Sequence, residues 1–499
     1  MFNGLDIEFI MAESSASTVY RGNDKVLIGI ILGLLSFWLF GMTMLSIQDV
    51  VQNDLQIEMS ALGLAVTITS LVSGVTVVMF GNLADRYGRA KTLRWGFYAA
   101  IVGGILIAAT PARSALTLPF MLVGRILQGI SAACIMPASL AIIAQFWQEK
   151  ERQRAISLWS MGTWGGTSFA TFVGANMASF LGWRSIFIVA AVTAFIGLLL
   201  VREIPRNFVE GAKEVKFDFK GMVVFMLSVI CLMMVINFGS SWGWGNPITM
   251  VLVVVSIIGF ILFISIESGV DLPFVNIKLF QNKTFTGATI SNFILNSTAG
   301  VLVVIPALMS AATDYDGSII GFLSIGYGVV IIVFIRIGER LLQKFGPRKP
   351  MLLGSFIVML AFLVMLPTNV MRETYLVLMG IGYALFGLGL ACYATPSTDA
   401  ALSTLPPKES AAGSGIYKMA SSLGSAFGIA VSSAIYYGLL SGNEQWLAPE
   451  NSFFNQMFIG EQSNLVFRQS AMIAMTYNII MVLLAIVVIF ITVPKQSKK

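Results

Sequence analysis

The chain has no histidine, only three cysteines in 499 residues, and charge on just 11% of its positions. Without histidine there is no imidazole proton relay and the commonest metal ligand is missing, so any proton coupling must run through Asp and Glu. Cys134, Cys231 and Cys392 lie in apolar stretches and read as packing thiols, with no disulfide framework implied. No spacing of a metal cluster or catalytic constellation is present. With no soluble domain to hold one, an enzyme or sensor is not expected, and neither is a bound cofactor. The first 24 residues are polar or mixed and lack a basic segment before a short apolar core. No cleavable signal peptide is therefore expected, and Met11 offers an alternative start.

What the chain does have is apolar sequence. It is 57% hydrophobic with a mean hydropathy of +0.83, outside the range of soluble domains. A spanning helix needs about 20 apolar residues, and fourteen such runs occur, from 26–47 to 470–493. Basic residues test that count, because cytoplasmic connections collect Lys and Arg. With the N-terminus inside, only Arg113, Arg184, Arg372 and Arg468 fall outside; Arg125 and Lys418 lie within runs, and the others fall on the cytoplasmic side. Both termini are expected in the cytoplasm. The net charge of +6 is then a topology signal, and no nucleic-acid partner is expected.

The most distinctive stretch, Gly81-Asn-Leu-Ala-Asp-Arg-Tyr-Gly-Arg-Ala-Lys-Thr-Leu-Arg94, joins two of these runs. Gly81 and Gly88 permit a sharp turn and close helix approach, while Arg86, Arg89, Lys91 and Arg94 concentrate positive charge on one face. Such anchors alone require neither the paired glycines nor Asp85.

Polar residues inside apolar runs mark the candidate site, since each needs a partner or an aqueous cavity. Arg125 and Gln128 share a face at i, i+3, and Arg125 either snorkels to the outer interface or faces a central cavity. Met136 precedes Pro137, which can kink its run. Trp38, Phe40 and Trp164 supply aromatic surface. Asn292 and Asn296 stack one turn apart, and Tyr393, Asp399, Tyr417 and Lys418 follow in the twelfth and thirteenth runs. The Lys418 ammonium either snorkels to the cytoplasmic interface or meets an anion, with Asp399 or a carboxylate-bearing substrate such as a quinolone as the candidates. Asp399 and Glu267 are the carboxylates nearest the membrane, both at cytoplasmic ends.

An internal repeat organises the chain. At one offset of 258, Gly88 pairs with Gly346, Lys91 with Lys349, Ala133 and Cys134 with Ala391 and Cys392, Glu151 with Glu409, Gly166 with Gly424, and Phe169 with Phe427. Arg125 pairs with Tyr383, and Asp85 with Gln343. Two six-helix halves with two inserted helices between them follow. The expected layout is a tail at 1–24, bundles at 25–202 and 284–493, a linker with the inserted helices at 203–283, and a tail at 494–499.

The pattern G-x-L-A-D-R-x-G-R-x-K resembles the loop signature of the major facilitator superfamily. Arg125 to Ser139, Gln153 to Ser160, Thr284 to Phe293, Ala394 to Asp399 and Gly415 to Ser421 resemble the fourteen-helix drug:proton antiporters, in particular the Nor-type multidrug and quinolone exporters of Gram-positive bacteria. The resemblance runs from about residue 20 to the C-terminus. It implies an all-α major facilitator fold in a bacterial cell membrane, acting as a monomer. The implied activity is export of quinolones, dyes, and quaternary ammonium compounds or tetracycline by alternating access, driven by the proton gradient. It also implies that Asp85 meets the N-terminus of the second-half helix beginning near Ser410 in one state, as a conformational latch with Gly81, Arg86, Gly88, Arg89 and Lys91. Arg125, Gln128, Asp399 and Glu267 are the coupling candidates. Trp38, Phe40, Met136, Trp164, Asn292, Asn296, Tyr393, Tyr417 and Lys418 are the substrate candidates. Two departures stand out: only Gly174 of the G-P-x-x-G-G antiporter signature survives, at 170–175, and the usual first-helix Asp is Gly41, which argues against a polycation specialist. A proton-coupled uptake symporter or a metabolite exporter of the same fold is the alternative.

Overall fold

The computed structural model describes residues 21–45, 47–57, 59–205, 218–270, 277–313, 317–406, 409–441 and 464–495. Most of the expected tails, residues 206–217 of the linker and most of the loop within 441–469 lie outside these residues. Long apolar sequence with no water to satisfy its backbone must form helix, and helix is what the chain forms. The first half holds α1 (Asp24–Leu35), α2 (Gln48–Leu55), α3 (Met59–Tyr87), α4 (Arg89–Ala108), α5 (Thr117–Phe146), α6 (Glu149–Ser160), α7 (Gly166–Leu181) and α8 (Trp183–Leu200). The inserted pair is α9 (Phe219–Trp242) and α10 (Pro247–Ser268). The second half holds α11 (Lys283–Ser297), α12 (Val301–Thr313), α13 (Gly317–Phe345), α14 (Arg348–Met365), α15 (Arg372–Ser403), α16 (Ser410–Ser441) and α17 (Leu465–Thr492).

Helix starts follow local chemistry. Asn246 accepts from the Ile248 amide at 2.9 Å ahead of Pro247, and Asn282 accepts from the Thr284 and Phe285 amides at 3.0 and 3.2 Å, as N-cap residues do. Each of the fourteen expected runs overlaps helix among the described residues. Ten stretches among the described residues are long and apolar enough to cross a membrane by length and composition, and Phe172–Leu181 and Phe219–Val235 are apolar but shorter. Part of the difference is charge carried into helix ends, as in α4, which opens with Arg89, Lys91 and Arg94. The helix α10 exposes apolar side chains along most of its length, as a lipid-facing helix does. It meets α9 through Phe225, whose ring lies 4.9 Å from that of Phe263.

The 258-residue offset recurs in three dimensions. Gly88 and Gly346, its mate, both take positive φ, 107° and 70°, at the turns joining α3 to α4 and α13 to α14. A methyl group on Gly124 would press on Ile107 and the Gly103 carbonyl, while one on Gly382 would press on Met365 and the Ala361 carbonyl. Each partner is again 258 residues further on. Trp159 donates to the Ser139 hydroxyl at 2.8 Å, and at the equivalent positions Tyr417 donates to Ser397 at 2.9 Å.

Three helical rods are broken rather than continuous. A π turn at Ser36–Phe40 and a 3-10 turn at Gly41–Leu45 follow α1, a π turn at Met161–Gly165 separates α6 from α7, and a 3-10 turn at Thr298–Gly300 separates α11 from α12. Irregular backbone at membrane depth persists only where protein or a cavity surrounds it. All three breaks face the same place, described below.

The turn at Gly88 yields a direct test. An L-residue at its φ and ψ costs about 1–3 kcal/mol, so Gly88→Ala should lower the melting temperature of the purified protein. The exposed Gly245, where an added methyl group meets nothing within 4 Å, should tolerate Ala without change.

Candidate functional site

Where the broken rods converge lies a cavity of about 130 Å³. From the first half it is lined by Trp38, Thr163, Trp164 and Thr167, and from the second by Asn296, Ser421, Ser422 and Ser425. Each residue of the first set has its mate, 258 positions later, in the second. The cavity therefore lies where equivalent surfaces of the two halves meet, and α11 to α16 complete it with Leu295, Thr298, Ala299, Leu302, Tyr327, Phe386, Leu390 and Lys418. Tyr327 stacks on Phe386 with centroids 5.5 Å apart. Drug-sized sites are roughly 300–1,000 Å³, so the halves must separate to admit such a ligand.

Lys418 is 7% exposed and lines this cavity, so it does not snorkel to an interface. Its ammonium sits 4.3 Å from the ring centre of Trp159, in the opposite half, and 5.8 Å from that of Tyr417. A desolvated cation–π contact contributes about 2 kcal/mol. Asp399, one of the expected partners, is instead 3.2 Å from Arg152 of α6.

Of the other expected substrate residues, Trp38, Trp164 and Asn296 reach the cavity, and Phe40, Met136, Asn292, Tyr393 and Tyr417 do not. Phe40 and Met136 pack in apolar clusters. Asn292 joins α11 to α16, donating to the Tyr417 carbonyl at 3.0 Å and the Ser421 hydroxyl at 2.6 Å. It also accepts from Asn296 at 2.9 Å. The Tyr393 hydroxyl is 2.8 Å from that of Ser291. The lining residues that sequence reasoning missed, Thr163, Thr167 and Ser425 among them, carry no local signal. Carrying the 258 offset through the fifth and thirteenth runs would have paired them.

Arg125 also departs from the expectation of a cavity-facing cation. It is 1% exposed and donates to the carbonyls of Ala65 at 2.9 Å, Gly41 at 2.8 Å and Val66 at 3.2 Å, and to Gln128 at 2.8 Å. It clamps α5 to α3 and to the broken turn after α1. The carbonyl of Gly41, where the family's usual Asp is lacking, is thus one of its acceptors.

A second cluster lies at the end of the halves that carries the Gly81–Arg94 stretch. One Asp85 oxygen accepts from the Ala411 and Ala412 amides of α16 at 2.9 and 2.8 Å. The other accepts from Arg89 at 2.8 and 3.0 Å, and Arg89 in turn donates to Gln145 of α5 at 3.0 Å. A Cβ on Gly81 would lie 2.7 Å from the Ala411 carbonyl oxygen, which explains a glycine there. The Ser414 hydroxyl donates to the Pro137 carbonyl at 3.1 Å. Together with Arg152 and Asp399, these contacts join the halves at this end. Arg86 bonds Asn82 at 2.8 Å, and the Lys91 ammonium is 5.2 Å from the Trp95 ring centre. Glu267, 4% exposed on α10, lies beside Gly221 and Asp218 of the inserted pair, away from the cavity lining.

Two equivalent helical halves around a shared central cavity, closed at one end by polar contacts, define a membrane carrier. The sequence profile described as Major Facilitator Superfamily matches residues 28–270 and 285–499, and the chain belongs to that superfamily of transporters. It is 38% identical over 486 residues to the quinolone resistance protein NorB of Staphylococcus aureus (strain MRSA252), covering 97% of this chain and 99% of that protein. The NorB protein of strain COL matches to the same extent. Among solved structures, the proton:xylose symporter XylE shares the fold with a TM-score of 0.63 and 16% identity, over 95% of this chain and 96% of that one. The human organic anion transporter MFSD10 shares it with a TM-score of 0.60 and 15% identity, over 93% and 98%.

The clamp at Arg125 can be tested by stability. Arg125→Met strands buried acceptors at about 1–3 kcal/mol and should lower both melting temperature and membrane abundance. A variant of unchanged stability but lost transport would contradict the clamp.

Proposed function

We propose that the chain exports amphipathic drugs, quinolones and dyes among them, across a bacterial cell membrane by proton-coupled alternating access. The observation that carries this reading is the cavity built from equivalent positions of both halves, aromatic on its walls and closed at one end by contacts that can be unmade. The near full-length similarity to a quinolone resistance protein supports the direction of transport and the substrate class. With both termini in the cytoplasm, the Gly81–Arg94 stretch is cytoplasmic, and the contacts at Asp85, Ser414 and Asp399 seal the cavity from that side.

Asp85 then acts as the latch of this state. Its carboxylate complements the N-terminal dipole of α16 and takes two amide bonds that exist only while the halves are together. A bias of 1.4 kcal/mol shifts the balance of two conformations tenfold, which is ample for a cycle whose states are close in energy. Asp399 is the carboxylate best placed for coupling. It is buried at 5% exposure and paired to the opposite half, so neutralising it by a proton removes an attraction holding that end shut.

Norfloxacin and dye efflux in energised cells, with and without a protonophore, tests the reading: export that collapses with the protonophore is expected, and accumulation instead of export would mark an uptake symporter. Asp85→Asn should lower efflux several-fold at unchanged membrane abundance. Asp399→Asn should retain drug binding while efflux loses its dependence on the proton gradient.

A further inference from the structure

We infer that Lys418 makes the cavity a site that reads negative charge, favouring aromatic amphipaths that bear a carboxylate over those that bear none. This rests on the drug-export reading and names the substrate chemistry of the same cavity.

The first observation is what the cavity lining contains. Among the described lining residues Lys418 is the one formal charge, and there is no Asp or Glu. The ion pairs of the described residues do not include Lys418, and Asp399 is engaged by Arg152. Among the described residues the ammonium lies against the ring faces of Trp159 and Tyr417, which attract it without satisfying its three donors. A buried ammonium in that state gains most from an anion that can reach it.

The second observation concerns the rest of the lining. Trp38 lines the same space from the first half, and among the described residues its buried indole N–H has no hydrogen-bond partner. The hydroxyls of Ser421, which accepts from Asn292, and Ser422 also line it, whereas Thr163 and Asn296 already donate to Ser160 and Asn292. Acceptor atoms on a ligand therefore find donors, whereas a ligand that is only cationic meets the like charge of Lys418 at short range and low dielectric.

The third observation is asymmetry. The residue equivalent to Lys418 in the first half is Ser160, so positive charge enters from α16 alone. A flat aromatic acid is oriented with its carboxylate toward α16 and its rings against Trp38 and Trp164.

The test is equilibrium binding of norfloxacin and of its methyl ester to the purified full chain. The ester keeps the rings and the amine and lacks only the anionic charge. Wild-type protein should bind the acid at least roughly tenfold more tightly, Lys418→Met should bring the ratio near unity by weakening the acid while ester affinity is kept or raised, and Lys418→Arg should preserve the preference. Equal affinity of the wild type for acid and ester overturns the inference, and needs no variant to fold. A preference that survives in Lys418→Met overturns it too, as does loss of acid and ester affinity together in a variant of normal melting temperature. Failure of the wild type to bind or export either compound overturns the drug-export reading, and this inference with it.

Discussion

An apolar membrane interior offers no water, so a polar group within it must find its partners in the protein, and this constraint shapes most of the chain. Arg125 spends its guanidinium on three carbonyls and an amide. Arg468, at the start of α17, donates to the Thr368 and Val370 carbonyls. Asn292 and Asn296 complete one another and the α11 to α16 contact. Each is costly to bury alone and acceptable once bonded, so each has become part of how helices are fixed to one another. Against that background Lys418 and Trp38 differ, because both line the cavity, the ammonium against ring faces and the indole N–H without a hydrogen-bond partner among the described residues.

The same constraint bears on how the halves touch. A joint made only of interlocked apolar side chains would be slow to part and would offer a proton nothing to act on. Here the joint beside Asp85 consists of backbone amides, one carboxylate, one arginine and small residues that let α3 and α16 approach closely. Its strength is electrostatic, so it depends on charge state and on a geometry that a few ångströms of separation abolish. Small residues at the contact let two helices lie close without locking.

How much of this could be read in the sequence follows from the physical range of each signal. Helices were legible because twenty apolar residues leave the backbone no other choice, and the turn at Gly88 because a positive φ selects glycine. The 258 offset was legible because the repeat kept its packing residues. The meeting of Asp85 with the helix beginning at Ser410 came from family resemblance, since nothing local links residues 326 apart. The cavity was only partly legible. Spacing along one helix tells which residues share a face, and says nothing about which neighbour lies opposite; Tyr393 and Tyr417 share faces with polar residues yet point into packing. The π turns at Ser36–Phe40 and Met161–Gly165 add a further difficulty, because each widens a turn and rotates the face that follows. Arg125 was misplaced for a related reason. Its acceptors are main-chain carbonyls, and every residue carries one, so no side-chain pattern announces them.

The two halves share packing and differ in charge, and the difference accounts for where the Asp85 contact sits. The mate of Asp85 is Gln343, which bonds to Glu339 at 3.3 Å within its own helix and holds no helix N-terminus. The helix equivalent to α16 is α6, and its first turn already carries Glu149 and Glu151, which complement its dipole. The first turn of α16 has no acidic residue, although Glu409, the mate of Glu151, directly precedes it, and its Ala411 and Ala412 amides donate to Asp85 of the opposite half. A symmetric pair of latches would weigh equally on both arrangements of the halves and favour neither. With Asp85 accepting from the α16 N-terminus across the halves and its mate Gln343 bonded within its own helix, closure at this end gains an interaction that the pseudo-equivalent contact lacks. In the proposed cycle, equivalent packing would keep the two arrangements close in energy, and the unmatched charges would decide which of them a proton or a ligand tips.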